Sequence, residues 1–386
     1  MTDPFDPLFP DAEIHAIAPG RVNLLGEHVD YNDGPVLPAA IDRAVHLSAK
    51  PRSDRLVLLH ARDLNQQVTF SLDYLSEHRD IYGEDFPTWA TYPAGVAYII
   101  QQHGYPISGI EAAYTSDVPI GAGLSSSAAV ELAFAVTWQA IDQWPGTAMD
   151  LARLSQQAEN QYAGVNCGLM DQFASANGVE NHALYFDTRS LNWHPVPLPA
   201  NTAIIIADSG VRRSLATSAY NDRRAACEQA VAVLKTFLPG VQALRDVSPA
   251  EFALLADRLP DTVRRRAQHV VEECERVDRA IEYLEQGKAS DFGQLMFACH
   301  ASLRDLYEVS CPELDLLVNL AKDLPGCLGA RLTGAGFGGC TVNLVEEAHA
   351  NTFQIGLKSG YLESTGRKAQ VYLCRASRGA HVIEAL

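Results

Sequence analysis

The sequence predicts an α+β fold that is divided into two lobes. Stretches typical of strands and longer stretches typical of helices follow each other without the strict alternation that a doubly wound sheet requires. The 386 residues are enough for two medium-sized domains with filled cores. Near the middle, residues 192–199 contain three prolines and read as an extended connector. We therefore predict an N-terminal lobe of residues 1–190 and a C-terminal lobe of residues 191–386.

Seven strands are predicted from short stretches that are rich in β-branched residues or that alternate between apolar and polar residues. In chain order they cover residues 44–49, 56–59, 67–72, 109–115, 203–207, 340–345 and 370–374. The chain shows neither an internal repeat nor a low-complexity segment, so a repeat architecture is excluded.

Helices are predicted at residues 87–102, 126–140, 151–162 and 262–286. Glycine closes the first of these at position 104 and the last at position 287, as expected where a helix ends. Ser248 and Glu251 have the spacing of a capping box, with proline at the first helical position, so another helix is expected to begin there. A further capped helix start is expected at residues 310–313.

Composition indicates a globular protein without a membrane segment. Apolar residues make up 47% of the chain and charged residues 20%, which is typical of globular domains. No apolar run approaches the ~20 residues that a membrane-spanning helix needs. Residues 1–11 are acidic and proline-rich and lack the basic and apolar regions of a signal peptide. We therefore expect a cytoplasmic protein with no membrane partner.

Charge and cysteine usage exclude two further classes of function. The formal net charge of −17 argues against a nucleic-acid-binding surface, which requires a basic stripe. The eight cysteines are scattered and none forms a Cys-x-x-Cys pair, so neither a zinc site nor a disulfide framework is indicated. Reduced thiols, several of them buried, are expected instead.

Residues 18–38, here called the polar segment, concentrate polar side chains among glycines and prolines that interrupt regular structure. Arg21, Glu27, His28 and Asp30 lie within ten residues. This mixture of donors and acceptors suits a polyol, because each sugar hydroxyl both donates and accepts a hydrogen bond. A solvated turn with local side-chain-to-backbone bonds is the alternative.

Residues 117–131, here called the serine loop, run from a predicted strand into a predicted helix and contain two glycines followed by three serines. Glycine lets backbone N–H groups approach an anion, and a helix start adds unpaired donors and the positive end of its dipole. Serine hydroxyls can bind phosphate oxygens or Mg²⁺. Neither the Walker A pattern nor the dinucleotide-binding fingerprint is present. We predict a phosphate site here, with a flexible turn that caps the helix as the alternative.

Two acids, Glu159 and Asp171, are candidates for metal binding and catalysis. Glu159 lies in the last turns of a predicted helix, and Asp171 has apolar neighbours. A divalent metal on a triphosphate leaves one or two positions for protein carboxylates. A hydroxyl acceptor needs a base or a charge that orients it. We predict one acid in each role, with ordinary helix acids as the alternative.

Residues 331–341, here called the late glycine loop, hold four glycines within six positions before an apolar strand. Such a loop can approach a ligand or a neighbouring backbone closely. A tight turn between a helix and a strand is the alternative. Two glycine-rich loops in one chain favour a nucleotide held between two lobes.

Taken in order, these segments resemble the GHMP kinase superfamily and, within it, the galactokinase family. Residues 20–34 are similar to the galactokinase signature, and the serine loop and the late glycine loop are similar to segments that the whole superfamily shares. Further similarity covers residues 208–216, 220–228 and 300–315, and the resemblance extends over residues 15–345. It implies a two-lobed GHMP kinase fold with a ribosomal-protein-like N-terminal lobe, a ferredoxin-like C-terminal lobe and an active site in the cleft between them.

The resemblance implies an enzyme that transfers the γ-phosphate of ATP to the C1 hydroxyl of galactose, with Mg²⁺ as cofactor. Arg21 and Asp171 would flank that hydroxyl as catalytic residues, with Asp171 as the base or as an orienting charge. The residues implied in sugar binding are Glu27, His28, Asp30, Gly168 and Tyr220. The residues implied in binding ATP and its phosphates are Gly121, Gly123, Leu124, Ser125, Ser126, Ser127, Ala128, Gly334 and Gly336. The implied Mg²⁺ ligands are Ser126 and Glu159. A monomer is expected, with galactose and ATP as its partners.

Three residues beside these positions depart from the family's common pattern. Val29 replaces threonine, Ala219 replaces glutamate and Asn160 replaces histidine. An N-acetylgalactosamine kinase, similar in nearly every motif, stays open as the nearest alternative. A mevalonate or homoserine kinase is disfavoured by the acids and histidine of the polar segment. A non-catalytic regulator that binds galactose and ATP is disfavoured because the serine loop is complete and Asp171 is present.

Overall fold

The computed structural model describes residue 9, residues 11–212 and residues 216–384. Its strands are, in chain order, β1 (Ile14–Asn23), β2 (Pro35–Val36), β3 (Pro38–Arg52), β4 (Leu56–Ala61), β5 (Gln66–Ser71), β6 (Gly109–Ser116), β7 (His182–Asp187), β8 (Trp193–Pro197), β9 (Thr202–Asp208), β10 (Cys327–Thr333), β11 (Cys340–Glu346), β12 (Gln370–Cys374) and β13 (His381–Glu384). Its helices are α1 (Thr88–Gln102), α2 (Ser126–Asp142), α3 (Ala148–Gln157), α4 (Met170–Asn177), α5 (Ala216–Leu234), α6 (Pro249–Leu255), α7 (Asp261–Glu285), α8 (Ala289–Ser302), α9 (Pro312–Asp323) and α10 (Ala350–Thr365). Two π-helical turns continue α3 and α8, at Ala158–Tyr162 and Leu303–Tyr307.

The larger sheet has the strand order β13-β1-β3-β6-β4-β5 and is antiparallel except between β4 and β6. Helices α2 and α4 pack against β1 and β3, and α1 packs against α2. Nearly every side chain of α2 between Ala128 and Trp138 is buried, so this helix is surrounded by core on all sides. It therefore forms a rigid support for the serine loop that leads into it.

The second sheet has the order β10-β11-β9-β12 and is antiparallel throughout. Helices α8 and α9 pack on β10, and α10 packs on β12. A third, small sheet joins β2, β7 and β8. Strand β8 contains Pro195 and Pro197, which are tolerated because an edge strand needs backbone donors on one side only.

The end of the described chain returns to its beginning. Strand β13 pairs with β1, so that Ile14 lies opposite Glu384 and Ile17 opposite His381. The larger sheet therefore contains strands from both halves of the sequence. The division into lobes at residues 190 and 191 stays a prediction.

All seven predicted strands are present as β3, β4, β5, β6, β9, β11 and β12. The predicted strand at 44–49 is the middle of the longer β3. Strands β1, β2, β7, β8, β10 and β13 are not predicted from the sequence. Strand β1 is hidden because it contains a Pro-Gly pair at residues 19–20, where its register with β3 is irregular.

The predicted helices are present as α1, α2, α3 and α7, and the last turn expected of α3 is π-helical. The capping box of α6 is confirmed, because the Ser248 hydroxyl accepts from the Glu251 N–H at 3.3 Å and the Ser248 N–H donates to the Glu251 carboxylate at 2.9 Å. The helix start predicted at residues 310–313 is confirmed, with Cys311 as the N-cap residue of α9. The Cys311 side chain makes no capping hydrogen bond, and the Ser310 hydroxyl donates to Asp315 at 2.5 Å.

None of the helices formed by the described residues combines the length and the apolar character that crossing a bilayer requires. All eight cysteines fall within the described residues and are free thiols, five of them buried. Burial raises the pKa of the Cys374 thiol to about 12, which keeps that group protonated and unreactive at neutral pH.

Candidate active site

A cavity of about 510 Å³ lies where the polar segment meets the chain before α4, the start of α5 and the late glycine loop. The candidate residues that line it are Arg21, Glu27, His28, Asp30, Glu159, Gly168, Asp171 and Tyr220, and Ala335 of the late glycine loop joins them. The structure thus brings together every residue implied in catalysis and sugar binding. It also brings one of the two implied metal ligands, Glu159, to the same wall.

The polar segment is held in place by the two strands that bracket it. Strands β1 and β3 pair antiparallel, and the segment between them closes on itself through backbone bonds from Leu24 to Leu37 and from Leu37 to Leu25, each at 3.0 Å. Within the segment, Glu27 and His28 are only 3% and 4% exposed. The side chains that looked like a solvated turn in the sequence are therefore part of a buried wall.

Arg21 and Asp171 form an ion pair at the centre of the site. The Arg21 Nε and Nη2 atoms lie 2.9 Å and 2.8 Å from Oδ1 of Asp171. The Ser125 hydroxyl donates to the other oxygen, Oδ2, at 2.5 Å. Arg21 also donates to the Gly123 carbonyl at 2.5 Å. One carboxylate is therefore shared between the polar segment and the serine loop.

The serine loop is shaped by residues with left-handed backbone angles. Gly121, Gly123 and Ser125 have φ of 65°, 80° and 57°, and Ser125 is the N-cap residue of α2. A Cβ on Gly123 would lie 3.2 Å from the Thr333 carbonyl, so the serine loop packs directly on the late glycine loop. The serine loop also contains the start of α2, where the first N–H groups lack partners within the helix and the helix dipole has its positive end.

The remaining residues implied in phosphate binding differ in how deeply their side chains are buried. Leu124 and Ala128 have buried side chains, so their backbone atoms alone can face a ligand. Ser126 and Ser127 are half-buried at the first two positions of α2. Gly334 of the late glycine loop approaches Gly123, which leaves no room there for a side chain.

Glu27 joins the polar segment to the late glycine loop. Its Oε2 atom accepts from the buried Arg331 guanidinium and from the Gly334 N–H at 3.0 Å. Burial raises the pKa of Glu27, and the positive charges of Arg331 and Arg21 act in the opposite direction. Sequence reasoning did not single out Arg331, although a lone arginine at the start of a glycine loop is a signal for a buried ion pair.

Asp30 and Gly168 pack directly against each other in the cavity wall. Burial and the negative charges of Asp171 and Glu27 raise the pKa of Asp30 to about 7. A Cβ on Gly168 would lie 2.0 Å from Oδ2 of Asp30, so no side chain fits there without displacing the carboxyl group. The close approach of Asp30 thus explains why glycine is required at position 168.

His28 and Tyr220 form the aromatic part of the wall, with ring centroids 5.6 Å apart. The His28 Nδ1 lies 2.9 Å from the Tyr31 hydroxyl, and Nε2 lies 3.2 Å from the Ala335 carbonyl oxygen. Burial and the neighbouring His269 lower the pKa of His28 to about 3, so this imidazole is neutral at physiological pH. Burial and nearby acids, Asp30 first among them, raise the pKa of the Tyr220 hydroxyl.

Glu159 belongs to a buried polar group that sequence reasoning missed in part. The Gln172 amide nitrogen donates to Glu159 at 2.6 Å and to Glu131 at 3.0 Å, and the Cys167 thiol donates to Glu159 at 3.2 Å. Glu131 is completely buried, and its Oε1 atom has no hydrogen-bond partner among the described residues. A signal was available, because an acid within an Ala-rich and Leu-rich helix is unusual and Glu131 lies one turn after Ser127.

This group fits a magnesium ion in its chemistry. Burial raises the pKa of both Glu131 and Glu159, the negative charge of Glu159 raises the pKa of Glu131 further, and the negative charge of Asp171 raises the pKa of both. A cation would relieve that repulsion, and carboxylate and hydroxyl oxygens are the ligands that Mg²⁺ prefers. The hydroxyl that hydrogen-bonds Glu159 is that of Ser127, and Ser126 occupies the first position of α2. Within the described residues, no cluster of three His, Cys, Asp or Glu side chains forms a metal cage on its own.

Two other segments from the resemblance lie at the edge of the site. Residues 213–215, within the segment 208–216, lie outside the described residues. Helix α5, which follows, carries Tyr220 and also Arg223, whose Nε atom donates to the Tyr307 carbonyl at 2.8 Å. The segment 300–315 thus contacts α5 through the π-helical turn at Leu303–Tyr307.

Three family models match the chain in succession. The galactokinase galactose-binding signature matches residues 4–51, the GHMP kinase N-terminal domain matches residues 91–179, and the GHMP kinase C-terminal domain matches residues 266–360. The first of these contains the polar segment, the second contains the serine loop and both candidate acids, and the third contains the late glycine loop.

Relatives match over nearly the whole chain. The chain is 48% identical over 362 residues to a galactokinase of Roseiflexus sp. (strain RS-1), covering 94% of this chain and 91% of that protein. It is 45% identical over 370 residues to a galactokinase of Chloroflexus aurantiacus, covering 96% and 93%. The structure of Lactococcus lactis galactokinase complexed with galactose superposes with a TM-score of 0.91 at 34% identity, covering 99% and 98% of the two chains.

More distant structures share the fold alone. Mevalonate kinase of Methanococcus jannaschii superposes with a TM-score of 0.68 at 19% identity, covering 95% of this chain. The predicted GHMP kinase fold is thereby confirmed, as is the prediction of an ATP-dependent sugar kinase. With identities of 44–48% to galactokinases over almost its full length, the chain belongs to the galactokinase family of the GHMP kinase superfamily.

Proposed function

We propose that Asp171, Arg21 and the serine loop carry out the galactokinase reaction of this family, transfer of the ATP γ-phosphate to the C1 hydroxyl of galactose. The observation that carries the proposal is the position of the Asp171 carboxylate. It contacts Arg21 of the polar segment on one oxygen and Ser125 of the serine loop on the other. The carboxylate therefore stands where the sugar cavity and the predicted phosphate site meet.

The sugar occupies the cavity in this proposal. A volume of about 510 Å³ is within the range of small-molecule sites, and its lining is dense in hydrogen-bonding groups. Glu27 and Asp30 accept from sugar hydroxyls, His28 and Tyr220 complete the wall, and Gly168 leaves room for the Asp30 carboxyl group. Hydrogen bonds that sugar hydroxyls donate to Asp30 favour its ionised form.

The chemical step requires in-line positioning and charge neutralisation more than covalent help from the enzyme. Asp171 orients the C1 hydroxyl and receives its proton while the bond from O1 to the γ-phosphorus forms and the bond to the β-phosphate oxygen breaks. Arg21 stabilises the carboxylate and the charge that develops between the two oxygens. The products are galactose 1-phosphate and ADP.

The phosphates lie along the start of α2. Backbone N–H groups of residues 123–128 and the hydroxyls of Ser126 and Ser127 donate to phosphate oxygens, while the Ser125 hydroxyl stays on Asp171. The glycines at 334 and 336 let the late glycine loop pack closely on Gly123 and Val309 beside this site. Ser126 and Glu159 would hold Mg²⁺, with Glu131 and Gln172 behind Glu159. The ion, when bound, neutralises charge on the phosphates.

The experiment that tests this function is a comparison of acceptors. We expect ADP release with galactose to exceed that with N-acetylgalactosamine, glucose, mannose and mevalonate, because relatives at 44–48% identity are galactokinases. A higher kcat/KM with N-acetylgalactosamine would contradict the choice of sugar. Release of ADP with none of these acceptors would contradict the function as a whole.

We also propose that the enzyme is a cytoplasmic monomer that needs neither a membrane nor a nucleic acid. The net charge of −17 supports the absence of membrane and nucleic-acid partners, because it opposes association with anionic surfaces. Sedimentation at enzyme concentrations used in the assay is expected to give a mass near 42.0 kDa. A dimeric mass would contradict the monomer.

A further inference from the structure

The imidazole of His28 is engaged on both sides by protein groups of known hydrogen-bonding character. Its Nε2 atom lies 3.2 Å from the backbone carbonyl oxygen of Ala335, and its Nδ1 atom lies 2.9 Å from the Tyr31 hydroxyl. A carbonyl oxygen can only accept a hydrogen bond. The Nε2 atom must therefore carry a proton.

The second nitrogen is then an acceptor. Burial and the neighbouring His269 lower the pKa of His28 to about 3, so the ring carries a single proton at physiological pH. With that proton on Nε2, the Tyr31 hydroxyl donates its own proton to Nδ1.

The direction of this bond fixes the direction of the next ones. The Tyr31 and Tyr307 hydroxyls lie 2.6 Å apart, and Tyr31 has already used its proton, so Tyr307 donates to Tyr31. The Cys227 thiol lies 3.3 Å from the Tyr307 hydroxyl and by the same reasoning donates to it. The result is a one-way chain of hydrogen bonds that runs from Cys227 through Tyr307 and Tyr31 to His28.

The chain of donors is buried and anchored on several elements. Tyr307 is completely buried and Cys227 is 1% exposed. Tyr307 lies in the π-helical turn after α8 and Cys227 lies on α5, whereas Tyr31 and His28 belong to the polar segment. The four groups therefore connect the sugar wall to two elements of the C-terminal half.

We propose that Tyr31 and Tyr307 are positioning residues that hold His28 in the Nε2–H tautomer, so that it presents a donor to a sugar oxygen at the cavity wall. The proposal rests on the proposed function, in which His28 belongs to the sugar site. In the described structure the Nε2–H donates to Ala335, which lines the same cavity. A sugar oxygen that enters beside Ala335 can share this N–H as an acceptor, whereas the other tautomer would offer it only a lone pair and would lose the hydrogen bond to the Ala335 carbonyl.

The tautomer can be measured directly. Two-dimensional ¹⁵N–¹H spectra of protein labelled at histidine nitrogens, with His28 assigned by loss of its signals in His28→Asn, report which ring nitrogen is protonated. We expect His28 of the wild type to be entirely the Nε2–H form. In Tyr31→Phe, which removes the donor to Nδ1, we expect a mixture of the two tautomers. In Tyr307→Phe the Tyr31 hydroxyl can still donate to Nδ1, so we expect a smaller proportion of the Nδ1–H tautomer than in Tyr31→Phe.

Kinetics give the functional consequence of the same variants. Loss of one buried neutral hydrogen bond corresponds to a factor of about three to ten in an equilibrium. We therefore expect Tyr31→Phe to raise KM for galactose by about that factor, with kcat and KM for ATP changed less than about twofold. Tyr307→Phe is expected to have a smaller effect of the same sign.

Tyr361→Phe is the matched control for the loss of a buried tyrosine hydroxyl. Tyr361 lies on α10, and its hydroxyl donates to the carbonyl of Ser209, just after β9, at 2.9 Å and not to any group of the chain of hydrogen bonds behind His28. We expect it to lower thermal stability to an extent similar to Tyr31→Phe, with an unchanged His28 spectrum and an unchanged KM for galactose.

Two results would overturn the proposal: a wild-type His28 in the Nδ1–H form, or a Tyr31→Phe protein in which both the tautomer and KM for galactose are those of the wild type. Failure of the proposed function would look different. In that case the wild type would not phosphorylate galactose, while its His28 spectrum would still report the tautomer.

Discussion

At the scale of single residues, the site is a group of acids held closer together than their charges favour. Asp30 lies with Glu27 and Asp171 on one cavity wall, and its pKa rises to about 7 because of burial and these two negative charges. Gly168 permits this arrangement, since any larger residue would collide with the Asp30 carboxyl group. The wall is thus prepared for a ligand that donates hydrogen bonds.

The raised pKa of Asp30 makes protein stability depend on pH in a definite direction. The folded protein holds a proton on Asp30 up to about pH 7, whereas the unfolded chain releases it near 3.8, so this group's contribution to stability falls as pH rises between those values. Asp30→Asn removes this dependence. We expect the free energy of unfolding of Asp30→Asn relative to wild type to increase between pH 5 and pH 8, by up to ~3 kcal/mol.

Urea unfolding of both proteins at the two pH values, without substrate, measures that difference. The same substitution is expected to raise KM for galactose, because the carboxylate acceptor is lost. An identical difference in unfolding free energy at both pH values would contradict the raised pKa.

Gly168 offers a steric test of the same wall. Gly168→Ala places a Cβ where Oδ2 of Asp30 now lies, so the carboxyl group must move out of its position. We expect KM for galactose to rise roughly tenfold, with a small change in KM for ATP, because a displaced group loses about one charged hydrogen bond. Gly240→Ala is the matched control, since its Cβ would meet nothing within 4 Å. Equal KM values for the two variants would show that Asp30 and Gly168 are not part of the sugar site.

At the scale of secondary structure elements, the site depends on how two glycine-rich loops meet. The serine loop enters α2 through Ser125 with a left-handed φ of 57°, and Gly123 touches the backbone of the late glycine loop at Thr333. Helix α2 is buried on nearly all sides and cannot shift easily, so it holds the preceding loop in a fixed position. Rigid support of this kind is what anion-binding loops need.

Ser125 contributes both a backbone conformation and a hydroxyl, and two substitutions separate them. Ser125→Gly keeps the left-handed conformation without strain and loses the hydrogen bond to Asp171, whereas Ser125→Ala loses the bond and keeps the strain. We expect both to lower kcat about tenfold, and the alanine variant to be less stable by ~1 kcal/mol.

Steady-state kinetics and thermal unfolding of the two proteins measure these effects. A glycine variant with the kcat of the wild type would contradict a role for the hydroxyl. A glycine variant no more stable than the alanine variant would contradict the strain.

Sequence patterns predicted the elements whose periodicity is simple. The strands β4, β5, β6, β9 and β11 have alternating or β-branched sequences and are found almost as expected. Strand β10 and helix α4 were not identified, because β10 contains Gly329 next to an irregularity in its register and α4 is only eight residues long. Their assignment requires tertiary contacts that no local pattern contains.

At the scale of the whole molecule, the candidate site is assembled from distant parts of the chain. Asp171 and Arg21 are 150 positions apart, and Arg331 and Glu27 are 304 apart. The residues of each segment indicated its chemistry, and the resemblance to the family indicated that the segments form one active site. Gln172 and the tyrosines behind His28 were not predicted, because their significance lies in what they contact and not in the residues beside them. Glu131 and Arg331 were missed although their sequence surroundings are unusual for charged residues.

The buried ion pair between Arg331 and Glu27 is the clearest link between the halves of the molecule. Arg331 is completely buried, so its removal leaves the Glu27 carboxylate without its main counter-charge. We expect Arg331→Met to lower the free energy of unfolding by about 3–5 kcal/mol and to raise KM for galactose. The double variant with Glu27→Gln is expected to regain part of the stability and none of the galactose affinity.

Denaturant unfolding of the single and double variants provides the measurement. Arg79→Met serves as the control, because its ion pair with Asp85 is exposed and should contribute little. If Arg331→Met and Arg79→Met were equally stable, the pair would not join the halves of the molecule.

The most direct test of the account is the rate of the chemical step in Asp171→Asn. Asparagine keeps the shape of the side chain and removes the charge that Arg21 and Ser125 contact. With both substrates saturating, rapid-quench measurements are expected to show a rate lower by roughly a hundredfold or more, while calorimetry shows galactose and ATP still bound. Asp246→Asn, which breaks a peripheral ion pair with Arg189, is expected to keep the wild-type rate. A near-wild-type rate in Asp171→Asn with normal binding of both substrates would contradict the assignment of Asp171 as the group that receives the proton.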